Sequence, residues 1–325
     1  MNRVMITGGT GLVGSNIVSL LGGEGVEVVA LVRNGADASA LELYGATIVR
    51  GDVTDRGDIE RASDGCDGII HSAAVLGGAN EDPTEMRAVN VGGGTLVLDV
   101  AAQLEIRALM VSSVVVFDRD GSSLDERTPL VVDAPDPYTL SKLEILSECE
   151  ARAHAGQDVV TVMPGSIYGP GEPVARAMGR TSFNRAIRAA INGRIDQYLD
   201  LASPWVYALD VARTCIAAYH RGQPLTRYLA FGAEGLVGGV RWLNAACEAA
   251  GVEHRITALQ LDAADPDTLA AYGPSVLSRL EHDVAPPTVD ASFTWASLDA
   301  RPHPLEEAMA ATVTWMRANG QIGTT

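Results

Sequence analysis

The run Thr7-Gly8-Gly9-Thr10-Gly11-Leu12-Val13-Gly14 constrains this chain more than any other. It directly follows a short apolar segment, residues 3–6, and opens a stretch, residues 12–21, that reads as a helix. A strand passing into a helix through spaced glycines needs a tight turn. Gly8 permits that turn, Gly11 lets the backbone approach a pyrophosphate, and Gly14 lets helix and strand pack closely. The first N–H groups of such a helix have no partner within it and face an anion. A glycine triplet alone is weak evidence. Its place between strand and helix makes it a dinucleotide site, with contacts from Thr7, Gly8, Gly9, Thr10, Gly11, Leu12, Val13 and Gly14.

Further short apolar runs lie at 26–32, 46–49, 68–71, 108–111 and 159–163, with helical stretches at 55–63, 84–104 and 138–155 between them. Parallel strands need crossover helices, so the alternation predicts an α/β fold with a doubly wound parallel sheet. A dinucleotide-binding domain is expected over residues 1–165. Beyond Pro164 the pattern loosens. Residues 169–173 read as a loop, 183–192, 241–250 and 305–318 as helices, 228–231 as one more strand, and 265–287, with four prolines, as irregular. Residues 166–325 are expected to form mainly a smaller substrate lobe, partly interleaved with the sheet. The 325 residues, 47% of them hydrophobic, suffice for one large domain or two joined ones.

The end of the second strand bears on cofactor type. An acid there binds a ribose 2′-hydroxyl, whereas an arginine accommodates a 2′-phosphate. Here it reads Leu31-Val32-Arg33-Asn34. The expectation is NADP(H), with NAD(H) as the lesser partner and Arg33 on the phosphate; the competing reading makes Arg33 a solvated strand end. After the third strand, the Asp52 carboxylate can accept from an adenine amino group, with Val53 against the ring. His71-Ser72-Ala73-Ala74 leaves room for the cofactor after the fourth strand. His71 itself reads as a packed or backbone-bonded histidine rather than a catalyst.

Of 24 lysines and arginines, only Lys142 is a lysine. It stands four residues after Tyr138, so on a helix the two share a face. Arginine replaces lysine in most surface roles, but not where a compact, rotatable ammonium is needed. The bland alternative is an ordinary surface pair in an arginine-biased sequence.

The glycine-rich run, Gly51-Asp52-Val53, His71-Ser72-Ala73-Ala74, Asn90, Ser112-Ser113, Tyr138-xxx-Lys142 and Met163-Pro164-Gly165 occur in the order found in the extended short-chain dehydrogenase/reductase family, and the chain resembles that family. Fainter matches at 168–171 and 206–212 extend the likeness into the second half. The resemblance implies a Rossmann fold. It also implies Tyr138 as general acid/base, Lys142 as its partner and a ribose ligand, Ser113 as the carbonyl-orienting hydroxyl, and Asn90 as support for a relay water. Cofactor contacts would come from Ser72, Ala73, Ala74, Asn90, Ser112, Tyr138, Lys142, Pro164, Gly165, Ser166 and Ile167. A free tyrosine titrates near 10, so a nearby ammonium and an oxidised nicotinamide are expected to lower its pKa.

Two departures separate the chain from the sugar-nucleotide branch of that family. The second strand ends in Arg33 where that branch has an acid. Residues Ala202-Ser203-Pro204-Trp205 lack the arginine that meets a diphosphate, although Arg176, Arg180, Arg185 and Arg188 could compensate. The pocket is expected to be apolar, from Val75, Leu76, Val114, Tyr168, Met178 and Phe183, with a small or medium carbonyl or alcohol as substrate. The sequence looks closer to the dihydroflavonol-reductase and 3β-hydroxysteroid-dehydrogenase-like branch. An NAD-dependent sugar-nucleotide epimerase or dehydratase is the alternative, and a non-catalytic dinucleotide sensor a more distant one.

A net charge of −17 with no basic cluster speaks against nucleic acid and against an anionic membrane surface. No apolar stretch approaches a membrane span or a signal peptide. Cys66, Cys149, Cys215 and Cys247 are widely spaced, which predicts free thiols in a reducing cytoplasm, with neither disulfide nor metal. The family resemblance implies a homodimer through a four-helix bundle, with 84–104 and 138–155 as the candidate helices.

Overall fold

The computed structural model describes residues 1–77, 82–118, 123–260 and 288–323. In chain order the strands are β1 (Arg3–Thr7), β2 (Glu27–Val32), β3 (Thr47–Arg50), β4 (Gly68–His71), β5 (Arg107–Val111), β6 (Ser123–Leu124), β7 (Val159–Pro164), β8 (Ser166–Tyr168), β9 (Gln197–Tyr198), β10 (Trp205–Tyr207) and β11 (Arg227–Ala230). Seven of them form one parallel sheet in the order β11-β7-β5-β4-β1-β2-β3. The order reverses between β1 and β4, the point at which doubly wound sheets open a crevice at their carboxyl ends.

The helices are α1 (Leu12–Gly23), α2 (Ser39–Leu43), α3 (Arg56–Ser63), α4 (Pro83–Arg87), α5 (Gly94–Gln103), α6 (Pro137–His154), α7 (Val174–Ala177), α8 (Asn184–Ile191), α9 (Ala208–Arg221) and α10 (Gly239–Ala250). Strand side chains alternate between the faces, and both faces are covered, so the strand interiors are nearly continuous apolar runs. Val4 and Ile6 join Ile17 of α1 and Val211 of α9 in one core. Met5, between them, joins Ile59 of α3, Val97 of α5 and Ile145 of α6 in the other. A third cluster gathers α8, α10 and the last helix, Leu305–Ala318, around Ile187, Trp242 and Met309.

The expected parallel sheet is present. Residues 55–63 form a helix that begins at Arg56, because Asp55 is its cap and accepts from Asp58 N at 3.1 Å. The stretch expected as one helix over 84–104 is interrupted: Ala88–Gly93 is a π-helical turn between α4 and α5. The loop before α8 includes Phe183, which was expected inside that helix. Helix α9 and the β8–β10 pair were not anticipated. Ala208, Val211, Ala212, Cys215 and Ala218 recur three and four residues apart and are buried, so α9 does carry an apolar stripe, one built mostly of small residues. The stretch 265–287 lies outside the described residues. Among the described residues, no helix is long and apolar enough to cross a membrane, and the four cysteines are free and buried.

Candidate active site

Thr7 ends β1 and Gly8 turns the chain with φ +71°. A Cβ on Gly8 would stand 2.6 Å from Ala73 N and 2.7 Å from Ser72 C, so the glycine-rich turn and the loop after β4 are in backbone contact. A Cβ on Gly14 would collide with Gly8 O. Gly11 is the N-cap of α1 and its N–H donates to Gly8 O at 2.8 Å, while no side chain caps the helix. The first-turn N–H groups of α1 are therefore available to an anion. This uncapped, glycine-lined turn at the switch point fits a dinucleotide pyrophosphate. Thr10, Gly11, Leu12 and Val13 are partly exposed around it, and Gly9 is packed beneath it.

Around this turn the remaining predicted contacts fall in loops at the same edge of the sheet. Ser72 Oγ donates to Thr7 O at 2.8 Å, and Ala73 N donates to Thr7 Oγ1 at 3.3 Å. The Thr7 hydroxyl also meets His71 Nδ1 at 2.8 Å. Burial pushes the His71 imidazole down to about 3, with Lys142 adding to the shift, so it is neutral and built into the core. Ala74 follows, partly exposed. Asp52 accepts from Thr54 N at 2.9 Å and Thr54 Oγ1 at 2.8 Å, and Val53 is buried against Gly93. Pro164 ends β7, and Gly165, Ser166 and Ile167 run beside Pro204 and β10. Arg33 lies one residue past β2 and is exposed.

Tyr138 and Lys142 are on α6, which Asp136 caps by accepting from Thr139 N at 2.9 Å and which Pro137 begins. Ser113 follows β5, and its Oγ accepts from Val115 N at 3.3 Å. The structure brings the three together. Tyr138 is half-buried and shares a hydrogen bond with Ser113, and Lys142 Nζ lies 5.8 Å from the Tyr138 ring centre. Lys142 is buried and donates to Val111 O at 3.2 Å. Burial lowers its ammonium to about 8. Tyr138 departs from expectation. Burial pushes its phenol up to about 12, and the Ser113 hydrogen bond offsets only part of that. Among the protein's own groups, desolvation is the largest effect, and the Asp136 carboxylate adds to it. Ser112 beside Ser113 donates its N–H to Val162 O at 2.8 Å, and its buried Oγ makes no hydrogen bond among the described residues.

Asn90 sits in the π-helical turn, a distortion frequent at functional positions. Its Oδ1 accepts from Val75 N at 2.8 Å, and its Nδ2 donates to Val75 O and to Ser141 Oγ, each at 3.0 Å. Ser141 in turn donates to Tyr138 O at 2.8 Å. Both amide N–H groups of Asn90 are thus occupied by protein, tying the loop after β4 to α6. Ser141 was missed in the sequence, where it looks like spacer between Tyr138 and Lys142. Of the expected substrate residues, Leu76 and Phe183 are exposed and Val75 and Met178 partly so. Val114 and Tyr168 are buried, Tyr168 edge-on to Trp242 at 5.7 Å, and Phe183 packs edge-on to Trp205 at 5.0 Å.

Comparison with known proteins agrees with this geometry. The sequence model of the NAD dependent epimerase/dehydratase family matches residues 4–229. Sterol demethylase protein B of Methylococcus capsulatus is 28% identical over 74% of the chain and 73% of its own length. A 3 beta-hydroxysteroid dehydrogenase/Delta 5→4-isomerase of Mycobacterium tuberculosis is 30% identical over 60% of the chain, and the match spans 53% of that protein. A UDP-glucose-4-epimerase of Stenotrophomonas maltophila, solved with bound NAD and formylated UDP-arabinopyranose, superposes with a TM-score of 0.81 over 99% of both chains. At 19% identity that likeness speaks for the fold alone. Strand order, glycine-rich turn and family match together place the chain in the NAD-dependent epimerase/dehydratase family of extended short-chain dehydrogenases/reductases, as an enzyme on a Rossmann fold.

Proposed function

We propose that this enzyme is an NADP(H)-dependent oxidoreductase that interconverts a carbonyl and an alcohol on a small or medium apolar substrate. The observation that carries the reading is the convergence of Ser113, Tyr138 and Lys142 at the carboxyl edge of the sheet, beside the uncapped α1 terminus. The bound nicotinamide would supply the hydride. The phenol, held protonated up to about 12, is the form an acid requires when a carbonyl is reduced, and Tyr138 Oη would deliver the proton to the nascent alkoxide. Ser113 Oγ would donate to the same oxygen. Lys142, with one N–H on Val111 O, keeps donors for ribose hydroxyls and stabilises the phenolate left behind. Arg33, at the strand end, would meet the 2′-phosphate.

Residues 75–77 run alongside the phenol, since a Cβ on Gly77 would lie 3.0 Å from Tyr138 Cβ. Val75 and Leu76, with Met178 and Phe183, give that side an apolar character. One relative's name, a 3 beta-hydroxysteroid dehydrogenase, points the same way. Four free, buried cysteines fit a cytoplasmic enzyme. A homodimer through α5 and α6, which pack side by side, belongs to the same reading.

An NADPH-oxidation screen against ketones and aldehydes, beside UDP- and dTDP-sugars, tests the proposal. We expect oxidation with an apolar carbonyl. Tyr138→Phe should remove turnover by about 10²-fold or more with cofactor binding retained. Lys142→Arg should lose both turnover and cofactor affinity, because a fork replaces a compact ammonium. No oxidation with any carbonyl, together with copurified NAD, would replace this reading by the sugar-nucleotide epimerase or dehydratase one.

A further inference from the structure

Arg50 ends β3 and is paired in register with Val32, the residue before Arg33. The two exposed arginines therefore sit at neighbouring strand ends, on the side where an adenosine ribose would lie if the dinucleotide spans the switch point. Arg50 is held in place there. Its Nη1 donates to Arg33 O at 3.1 Å and to Ala36 O at 2.7 Å, clipping the turn that Arg33 begins. Among the described residues, its Nε and Nη2 make no hydrogen bond and the side chain forms no ion pair. An arginine anchored by two carbonyls has already lost much of the rotamer freedom that binding would otherwise remove, and its remaining donors suit a phosphate.

We propose that Arg50 is a second ligand of a phosphate on the ribose 2′ position, acting beside Arg33; this rests on the NADP(H) reading above. The nearby carboxylate, Asp37, accepts from Ser39 N at 3.0 Å and Ser39 Oγ at 2.7 Å, and these bonds, more than Arg50, hold its pKa low. With Asp37 engaged by Ser39, the guanidinium is left for a dianion. The arrangement would favour a 2′-phosphate over a bare 2′-hydroxyl by charge, without adding to the pyrophosphate or adenine sites.

Calorimetric titration of the full chain with NADPH, NADH, 2′,5′-ADP and 5′-AMP tests this. Wild type should bind 2′,5′-ADP more tightly than 5′-AMP. Arg50→Gln, which retains an amide for the carbonyls, should weaken NADPH and 2′,5′-ADP by about tenfold, as for one exposed charge-assisted contact, and leave NADH and 5′-AMP within about twofold. The same loss should recur when Arg50→Gln is made in an Arg33→Ala background, because two direct contacts act separately. No further loss in that background would mean that Arg50 only positions Arg33, and would overturn the proposal. So would equal weakening of all four ligands, the mark of a damaged fold. If Arg33→Ala abolishes the phosphate preference while Arg50→Gln does not, Arg50 falls and the NADP(H) reading stands. If wild type shows no preference for the 2′-phosphate, both fall.

Discussion

His71 shows how a residue near chemistry can be structural. It ends β4 buried, neutral, and bonded to Thr7 Oγ1. Its folded pKa is about 3, against 6.5 in an unfolded chain. Between those values the unfolded state binds the extra proton, so stability is full above pH 6.5 and is lost as pH falls toward 3. The unfolding free energy of wild type, from denaturant titrations, should therefore drop below pH 6.5 more steeply than that of His71→Gln, by about 1.4 kcal/mol per pH unit at most. Parallel curves would show that His71 does not titrate as a buried neutral base. The sequence already suggested a packed or backbone-bonded histidine there, and the structure shows it packed and bonded to a side chain. The same logic made Lys142 visible: one ammonium among arginines is a chemical choice. What the residues alone could not foretell was the Tyr138 phenol, raised rather than lowered, because desolvation depends on every neighbour.

The glycine-rich turn is an element whose geometry follows from its sequence. Gly8 needs both a left-handed backbone and the absence of a Cβ, because Ala73 N and Ser72 C stand where that atom would go. Gly25 shares the backbone, at φ +76°, with open space around it. Gly25→Ala should thus cost only the conformational strain, about 1–2 kcal/mol. Gly8→Ala should cost clearly more and weaken dinucleotide binding, since two backbones must part. Similar denaturant midpoints for the two variants would refute the close approach. The interruption of the 84–104 helix was not legible in the same way. Gly92-Gly93-Gly94 permits a widened turn but does not require one. The bonds from Asn90 to Val75 and Ser141, and the contacts of Gly93 with Val53 and Gly94 with Ile145, come from elements distant in sequence.

At the scale of the whole molecule, α5 and α6 present one side to the sheet and tie to each other through Arg152 and Asp99 at 2.7 Å. Leu140 of α6 and Leu104 beyond α5 remain exposed. If these helices form the dimer we propose, sedimentation equilibrium should give twice the 34.0 kDa chain mass, and Leu140→Arg should shift it toward one. A single-chain mass for wild type would dispose of the bundle. The second half was the part least readable in advance. Helix α9 packs beside α1 on one face of the sheet, against β5 and β7, and β11 completes that sheet beside β7, so residues far beyond Pro164 finish the first core. Asp210 at the start of α9 accepts from His303 N at 2.8 Å and meets His303 Nδ1 at 2.6 Å, joining two segments 93 residues apart. By itself the sequence determined the parallel sheet and the glycine-rich turn, and it picked out Ser113, Tyr138 and Lys142 as the trio we propose for catalysis, since each depends on local spacing and on residue chemistry. Only the tertiary structure decided the upward shift of the Tyr138 phenol, the engagement of Asn90 and the meeting of Arg50 with Arg33, because burial and contact are set by neighbours that no local pattern names.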